Sequence, residues 1–129
     1  MESTGNSLSR EERLRGKNDV SRLIGQGRRG SCSCLHYCWL CPNGAETDRI
    51  VVSVPKKLFK RAVRRNLLKR RIREAYRTQK SLLGPAEGHR DILFLYNSPE
   101  VLPFETVRAA MAEVLTRLSA APEAKTPQV

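Results

Sequence analysis

The segment KRAVRRNLLKRRIREAYR, residues 60–77, combines dense positive charge with a regular apolar repeat. Half of its residues are Lys or Arg, and runs of like charge this dense normally stay disordered. Leu68, Ile72 and Tyr76 nevertheless recur every four residues, which places them on one side of a helix. Because packing of an apolar face supplies most of a helix's stability in a protein, the segment predicts an amphipathic helix docked on a core.

The helix predicted over residues 63–77 has two opposite faces when it is drawn at about 100° per residue. The apolar arc holds Leu68, Ile72, Ala75 and Tyr76. The opposite, cationic arc holds Asn66, Lys69, Arg70, Arg73 and Arg77. Arg65 falls near the edge of the buried arc. Its side chain either makes a structural contact or extends over the edge of the sheet. A pair such as Arg70–Glu74 adds only a few tenths of a kcal/mol, so repulsion along the cationic arc remains for a bound polyanion to relieve. The alternative is a solvated basic face without a partner.

The positive charge of the chain is concentrated in this region. The 129 residues suit one domain, and their formal net charge is +11. Eleven Lys or Arg and one acid between Lys56 and Arg77 give that window +10, which leaves +1 for the remainder. Such a local excess indicates a surface for nucleic acid or for an acidic membrane. No apolar run approaches the ~20 residues of a membrane span, and the N-terminus lacks a signal-peptide core. We therefore expect a cytoplasmic protein with reduced cysteines and no membrane partner.

The remaining periodicities predict an α/β sandwich, a small sheet with helices packed on it, in the order α-β-β-α-β-α. We expect a disordered arm over residues 1–9, one RNA-binding α/β domain over residues 10–118 and a disordered tail over residues 119–129. A first short helix is expected to begin with Asn18 as its N-cap and to end near Gly27. GRRGSCS, which follows it, is expected to be a loop. Strands are predicted in CLHYCWL, RIVVSV and DILFLY, and the last, apolar after Asp91, is expected at the centre of the sheet. The final helix is expected to bury Val107, Ala110, Met111, Val114, Leu115 and Leu118.

Several side chains admit more than one chemical interpretation. A cluster around His36 could bind zinc, although it lacks paired CxxC spacing and strand neighbours two residues apart are ~7 Å from each other. Reduced structural or surface thiols are favoured over zinc for this cluster, which comprises Cys32, Cys34, Cys38 and Cys41. Tyr37 and Trp39 share one strand face, where they either stack on RNA bases or belong to the core, and the core is favoured for Trp39. His36, His89 and Asp91 form no convincing acid–base pair for a protein-borne nuclease.

The motif in the basic helix resembles that of a known family, the bacterial ribonuclease P protein component. The family pattern runs Arg-Asn-x-x-Lys-Arg-x-x-Arg-Glu, which matches Arg65, Asn66, Lys69, Arg70, Arg73 and Glu74. The upstream RIVVSVPKK is similar to the family's strand and lysine pair, Lys56 and Lys57, and RLRGKNDVSRLIGQG is similar to its N-terminal segment. The resemblance covers roughly residues 13–118 in the family's order.

This resemblance implies a fold and a function. The fold would contain a left-handed βαβ crossover, against the usual preference. The protein would be the small subunit of a ribonucleoprotein whose RNA subunit removes the 5′ leader of precursor tRNA with Mg²⁺. The protein itself would then hold no catalytic residue and no metal. Its RNA contacts would be Lys56, Lys57, Arg61, Arg65, Asn66, Lys69, Arg70, Arg73 and Arg77.

The resemblance also implies a cleft for the single-stranded leader between the first helix and the sheet. Val20 and Ile24 stand where the family offers aromatic residues, and Tyr37 is similar to the strand aromatic of the cleft. Leu67 replaces a further arginine of the family motif, so one RNA contact on the helix flank is in doubt. The alternative function is a non-enzymatic RNA-binding module, for example a ribosome-associated one. No DNA-reading motif is present, and the pattern predicts no oligomeric state.

Overall fold

The helices and strands of the protein follow the apolar periodicity of the sequence, with one additional strand. The computed structural model describes residues 12–14, 16–84 and 88–120. Its elements are helix α1 (Lys17–Gln26), strands β1 (Arg28–Cys32), β2 (Leu35–Leu40) and β3 (Arg49–Ser53), helix α2 (Ala62–Arg77), a short 3-10 helix (Lys80–Leu83), strand β4 (Asp91–Tyr96) and helix α3 (Phe104–Ala120). The fold is therefore the predicted mixed α/β sandwich.

The four strands form one sheet in the order β1-β2-β4-β3. Strand β4 lies in the interior, antiparallel to β2 and parallel to β3, so the prediction that the apolar DILFLY segment is central is confirmed. Since β3 and β4 are parallel neighbours, the basic helix α2 is the connection that crosses between them. This β3–α2–β4 unit is the one for which the family resemblance implies a left-handed connection.

Strand β1 corrects the sequence analysis, which expected a loop in GRRGSCS and therefore one strand fewer. β1 is an edge strand paired antiparallel with β2, and Arg28, Arg29 and Ser31 on it are exposed. Gly30 lies directly against the ring of Tyr37. The approach is so close that a Cβ added at Gly30 would be 2.5 Å from a carbon of that ring. The segment is a strand because its backbone pairs with β2 and because Gly30 fits against Tyr37. These features do not require alternating apolar residues, so the sequence pattern does not predict the strand.

Two apolar clusters occupy opposite faces of the sheet. The larger lies beneath α2 and α3 and includes all the predicted anchors of α2: Leu68, Ile72, Ala75 and Tyr76. The six residues predicted to be buried in α3 also belong to it. The smaller cluster lies beneath α1, where Leu23 and Cys38 are buried and Val20 packs beside them. Helix α2 is thus fixed by its apolar face, as the charge-rich sequence requires.

The ends of the helices differ slightly from the prediction. The N-cap of α1 is Gly16, and Asn18 lies inside the helix. The chain enters the helix with a φ of 92° at Gly16, a value that glycine adopts without steric cost. Gly27 ends α1 as predicted, its N–H donating to the Leu23 carbonyl over 2.8 Å. Helix α3 continues to Ala120, two residues beyond the expected domain boundary. The predicted disordered arm, residues 1–9, and the rest of the predicted tail lie outside the described residues.

Candidate nucleic-acid interface

The outward face of α2 carries the residues expected there, with unequal exposure. Asn66, Arg70 and Arg73 are exposed, whereas Lys69 and Arg77 are half-buried. The helix is anchored from its opposite side, so these side chains project away from the sheet. The surface is therefore a strip of positive charge on a docked helix, and Asn66, Arg70 and Arg73 are its exposed members.

The acid in this helix neutralises a different arginine from the one expected. Glu74 forms its ion pair with Arg77, three residues later, and not with Arg70, which the helical spacing predicts as its partner. The Nε of Arg77 donates to Glu74 over 3.2 Å, and this hydrogen bond lowers the pKa of Glu74. The carboxylate is thus fixed at the C-terminal end of the strip. Arg70 and Arg73 are consequently the exposed arginines of this face that lie outside the Glu74–Arg77 ion pair.

The loop that leads into α2 adds positive charge at its N-terminal end. Lys56, Lys57 and Arg61 are all exposed in or beside this loop. Arg65 has a structural contact, which was one of its two open interpretations. Its Nη1 donates to the carbonyls of Phe59 and Lys60, each over 2.8 Å, and so holds the loop against the first turn of the helix. The remaining N–H groups of its guanidinium leave it able to contact a ligand as well.

Leu67 is half-buried on the flank of α2, and Val63, one turn earlier, has 77% of its surface exposed. Val63 is therefore not part of the apolar face that docks on the sheet. At a spacing of four residues, Val63 and Leu67 are neighbours on the helix surface, on the side of Arg70. The departure of this chain from the family motif at Leu67 thus lies on an accessible surface.

A further arginine, which the sequence analysis did not identify, lies at the edge of β3. The backbone of Arg13 forms an isolated parallel bridge with Ile50, and the Leu14 N–H donates to the Ile50 carbonyl over 2.7 Å. Arg13 is exposed, and its charge reaches Arg73: burial first, and then Arg13, lower the pKa of Arg73. The cationic surface of α2 therefore continues around the sheet edge. No local pattern predicts this, since the two arginines are 60 residues apart.

A groove of about 220 Å³ opens on the face of the sheet that carries α1. Strands β1, β2 and β4 form the floor of the groove. The lining side chains that point to the α1 side of the sheet are Arg29, His36, Cys38, Leu93 and Leu95. Cys38 belongs to the apolar cluster beneath α1 and Leu93 packs against that cluster, so the groove lies next to this helix. From the sequence alone, His36 is a candidate metal ligand or catalytic base and is not predicted to line a groove.

The C-terminal end of α1 lies at the rim of this groove. Arg29 donates from its Nη2 to the Ile24 carbonyl over 2.7 Å, which holds an exposed guanidinium beside the opening. Ile24 itself is 41% exposed, and Val20 is partly buried in the cluster beneath the helix. Of the two α1 residues expected to line a cleft, Ile24 is therefore the accessible one.

Tyr37 requires a correction to the expected cleft. It borders the groove, but its ring packs in the large cluster on the α2/α3 side, and the residue is only 8% exposed. Electrostatic interaction with Cys32 first, and then hydrogen bonding with Tyr37, raise the pKa of Arg117, which places the Tyr37 side chain beside α3. Alternation along β2 puts Tyr37 and Trp39 on the α3 face and His36 and Cys38 on the α1 face. The core assignment of Trp39 is confirmed, and the ring that faces α1 belongs to His36.

A polar network fastens the other end of α1 to the sheet. At its centre, the fully buried Asp91 accepts hydrogen bonds from Arg49 Nε over 2.8 Å, from Arg49 Nη2 over 2.9 Å and from Asn43 over 2.8 Å. From α1, Asp19 lies 3.5 Å from Arg49, and Arg22 donates to the Asn43 carbonyl over 2.9 Å. Asp91 is therefore a structural anchor and not a member of an acid–base pair with His89.

His89, the other residue weighed for a nuclease, is exposed and lies 3.3 Å from a carboxylate oxygen of Asp48. The four cysteines are all buried and unpaired by disulfides. Cys38 faces α1, whereas the remaining three belong to the opposite cluster. Burial raises the pKa of the Cys32, Cys34 and Cys38 thiols, so these remain protonated at neutral pH. Within the described ranges no group of three potential ligands could hold a metal ion.

These features define a class: a small α/β sandwich protein with a cationic crossover helix on one face and an open groove beside a short helix on the other. None of the helices in the described part of the chain is long and apolar enough to cross a membrane. The chain belongs to the Ribonuclease P family, whose model matches residues 8–119. This membership gives it the role of a protein subunit in ribonuclease P, a system of tRNA processing.

Individual relatives agree with this assignment. The Ribonuclease P protein component of Porphyromonas gingivalis is 36% identical over 118 residues, which cover 87% of this chain and 86% of that protein. That of Chlorobaculum tepidum is 36% identical over 128 residues, covering 88% and 83%. Among solved structures, the RNase P protein of Thermotoga maritima superposes with a TM-score of 0.69 at 28% identity, covering 82% of this chain and 96% of that one. The Staphylococcus aureus protein gives 0.68 at 25% identity, covering 81% and 92%.

Proposed function

We propose that the protein binds the catalytic RNA of ribonuclease P through the outward face of α2, and the single-stranded 5′ leader of precursor tRNA in the groove beside α1. The observation that carries this proposal is the division of α2 into two faces. Its apolar side is committed to the core, while Arg70 and Arg73 project from the other side with their charge unopposed by the acid of the helix. Lys and Arg side chains of this kind bind phosphates with little dependence on sequence.

The groove supports the second half of the proposal. It lies on the opposite face of the sheet from α2, so one protein could contact an RNA subunit and a substrate strand at once. Its floor mixes apolar side chains with the imidazole of His36, and Arg29 stands at its rim. Single-stranded RNA is generally bound by such combinations of a flat ring, apolar contact and positive charge.

The proposed role is positioning, with the chemistry carried by the RNA subunit and its Mg²⁺. Asp91 supports this division, because its buried carboxylate is occupied by Arg49 and Asn43 and is closed off from a substrate. Removal of the leader by hydrolysis would then be an activity of the ribonucleoprotein. We expect this assembly to work in the cytoplasm, where precursor tRNA is made in bacteria.

The test is reconstitution of the protein with a bacterial ribonuclease P RNA and an assay of precursor-tRNA cleavage at low Mg²⁺. We expect strong stimulation over RNA alone, because a cationic protein substitutes for part of the counterion screening that RNA needs. Arg70→Ala with Arg73→Ala should reduce the affinity for the RNA subunit. Arg108→Ala is the matched control, since it removes an exposed arginine from α3.

The outcomes distinguish the alternatives. Absence of stimulation at every Mg²⁺ concentration would contradict a subunit role and favour a non-enzymatic RNA-binding module. Cleavage by the protein without RNA would place the chemistry in the protein. An equal loss of affinity in the α2 double variant and in Arg108→Ala would indicate a non-specific effect of charge and reject α2 as the binding face.

A further inference from the structure

Helix α1 covers only part of the sheet face on which it lies. Its apolar cluster reaches the row of Cys38, Leu93 and Val51, which are neighbours across three strands. The next row on the same face consists of four cross-strand neighbours: Ser31, His36, Leu95 and Ser53. Ser31 is exposed and the other three are partly exposed, so within the part of the chain that the structure describes solvent reaches this row.

The open row crosses all four strands of the sheet. At a strand spacing of about 4.8 Å, it is roughly 14 Å wide, enough to carry more than one nucleotide. His36 lies near its middle and supplies its one flat ring, with serine hydroxyls at both ends. A ring exposed on a sheet is a common platform on which unpaired RNA bases stack.

Arg29 gives the platform a charged border. The register of β1 and β2 pairs Arg29 with Cys38 and Ser31 with His36, so the guanidinium stands one pleat from the imidazole on the same face. Its hydrogen bond to the Ile24 carbonyl fixes it between the end of α1 and the open row. The other N–H groups of Arg29 can still donate to a phosphate.

We propose that His36 is the base-stacking residue of this protein, and that Arg29 contacts the phosphate of the stacked nucleotide. This inference rests on the proposed function, because the strand would be the leader of precursor tRNA. It differs from the sequence-based expectation, which assigned the stacking ring to Tyr37. The ring of Tyr37 packs in the core on the other face of the sheet. His36, the preceding residue of β2, faces α1 and lines the groove.

The test uses the protein reconstituted with the RNA subunit and compares the affinity for precursor tRNA with that for mature tRNA. His36→Ala should weaken the affinity for the precursor roughly 10-fold, as expected for loss of one stacked base, and leave that for mature tRNA within about 2-fold. His36→Phe should retain the preference for the precursor, because it keeps a flat ring. His36→Gln should lose this preference, because it keeps hydrogen-bonding groups and removes the ring.

Tyr37→Phe is the matched control, since it keeps the packed ring and removes only the hydroxyl on the other face. It should leave the preference for the precursor unchanged. Equal losses on precursor and mature tRNA, or a preference kept by His36→Gln and lost by His36→Phe, would overturn the stacking role. Stimulation of cleavage by the unaltered protein is measured in the same assay, so failure of this inference is separable from failure of the proposed function.

Discussion

Replacement of Asp91 by Asn is expected to destabilise the protein strongly, although it changes the size of the side chain very little. One carboxylate oxygen accepts hydrogen bonds from Asn43 and from Arg49 Nε, and the other accepts one from Arg49 Nη2. In Asp91→Asn, an NH₂ group replaces one carboxylate oxygen. This NH₂ group cannot accept a hydrogen bond, so one N–H of Arg49 loses its acceptor. The variant also leaves a guanidinium that is 18% exposed without its buried counter-charge.

The size of the effect follows from burial. A hydrogen bond to a charged group contributes about 1.5–3 kcal/mol, and removal of one member of a buried ion pair costs about 3–5 kcal/mol. We therefore expect Asp91→Asn to reduce the free energy of unfolding by about 3 kcal/mol and the melting temperature by about 10 °C. Asp19, the second carboxylate near Arg49, is 43% exposed and lies 3.5 Å away. Asp19→Asn should cost no more than about 1 kcal/mol.

The measurement is urea unfolding of the protein alone, followed by circular dichroism, for the unaltered chain and both variants. The dependence of the unfolding free energy on urea should keep its slope, while the midpoint of Asp91→Asn falls. A cost below about 1 kcal/mol for Asp91→Asn would refute the reasoning, because the buried bidentate contact would then contribute no more than a surface pair. An equally large cost for Asp19→Asn would refute it too, since burial would not be the cause.

Three further predictions concern α2. Arg73→Ala should lower the slope of log K against log salt for RNA-subunit binding by about 1, and an unchanged slope would reject a phosphate contact there. Leu68→Ala should cost about 2–5 kcal/mol of stability in denaturant titrations, whereas Val63→Ala should stay within about 0.5 kcal/mol, because only Leu68 is buried. Burial raises the pKa of Tyr76, so an unfolded chain loses this proton at lower pH than the folded one. Stability should therefore fall as pH rises above about 10, and the fall should be shallower in Tyr76→Phe.

Elements with a strong amphipathic pattern were predictable from sequence, because the spacing of apolar residues along the chain shows which face of a helix or strand is buried. The docked face of α2, the six buried residues of α3 and the central position of β4 all match the structure. The edge strand β1 was missed, because Arg28, Arg29 and Ser31 face solvent and, of its five residues, only Cys32 is buried, which leaves no apolar alternation. Arg13 was missed as a neighbour of Arg73 for a related reason: the contact depends on how the N-terminal residues lie along β3.

The sequence by itself determined that residues 60–77 form a helix with one buried and one cationic side, because charge repulsion leaves such a segment folded only when its apolar stripe is packed. It also determined that Tyr37 and Trp39 share one face of a strand. Only the tertiary structure decided which face that is. Alternation separates His36 from Tyr37 for any strand, but the side covered by α1 depends on where the helix packs, and α1 packs over Cys38. The ring on the α1 face of β2 is for that reason the imidazole of His36, which is partly exposed.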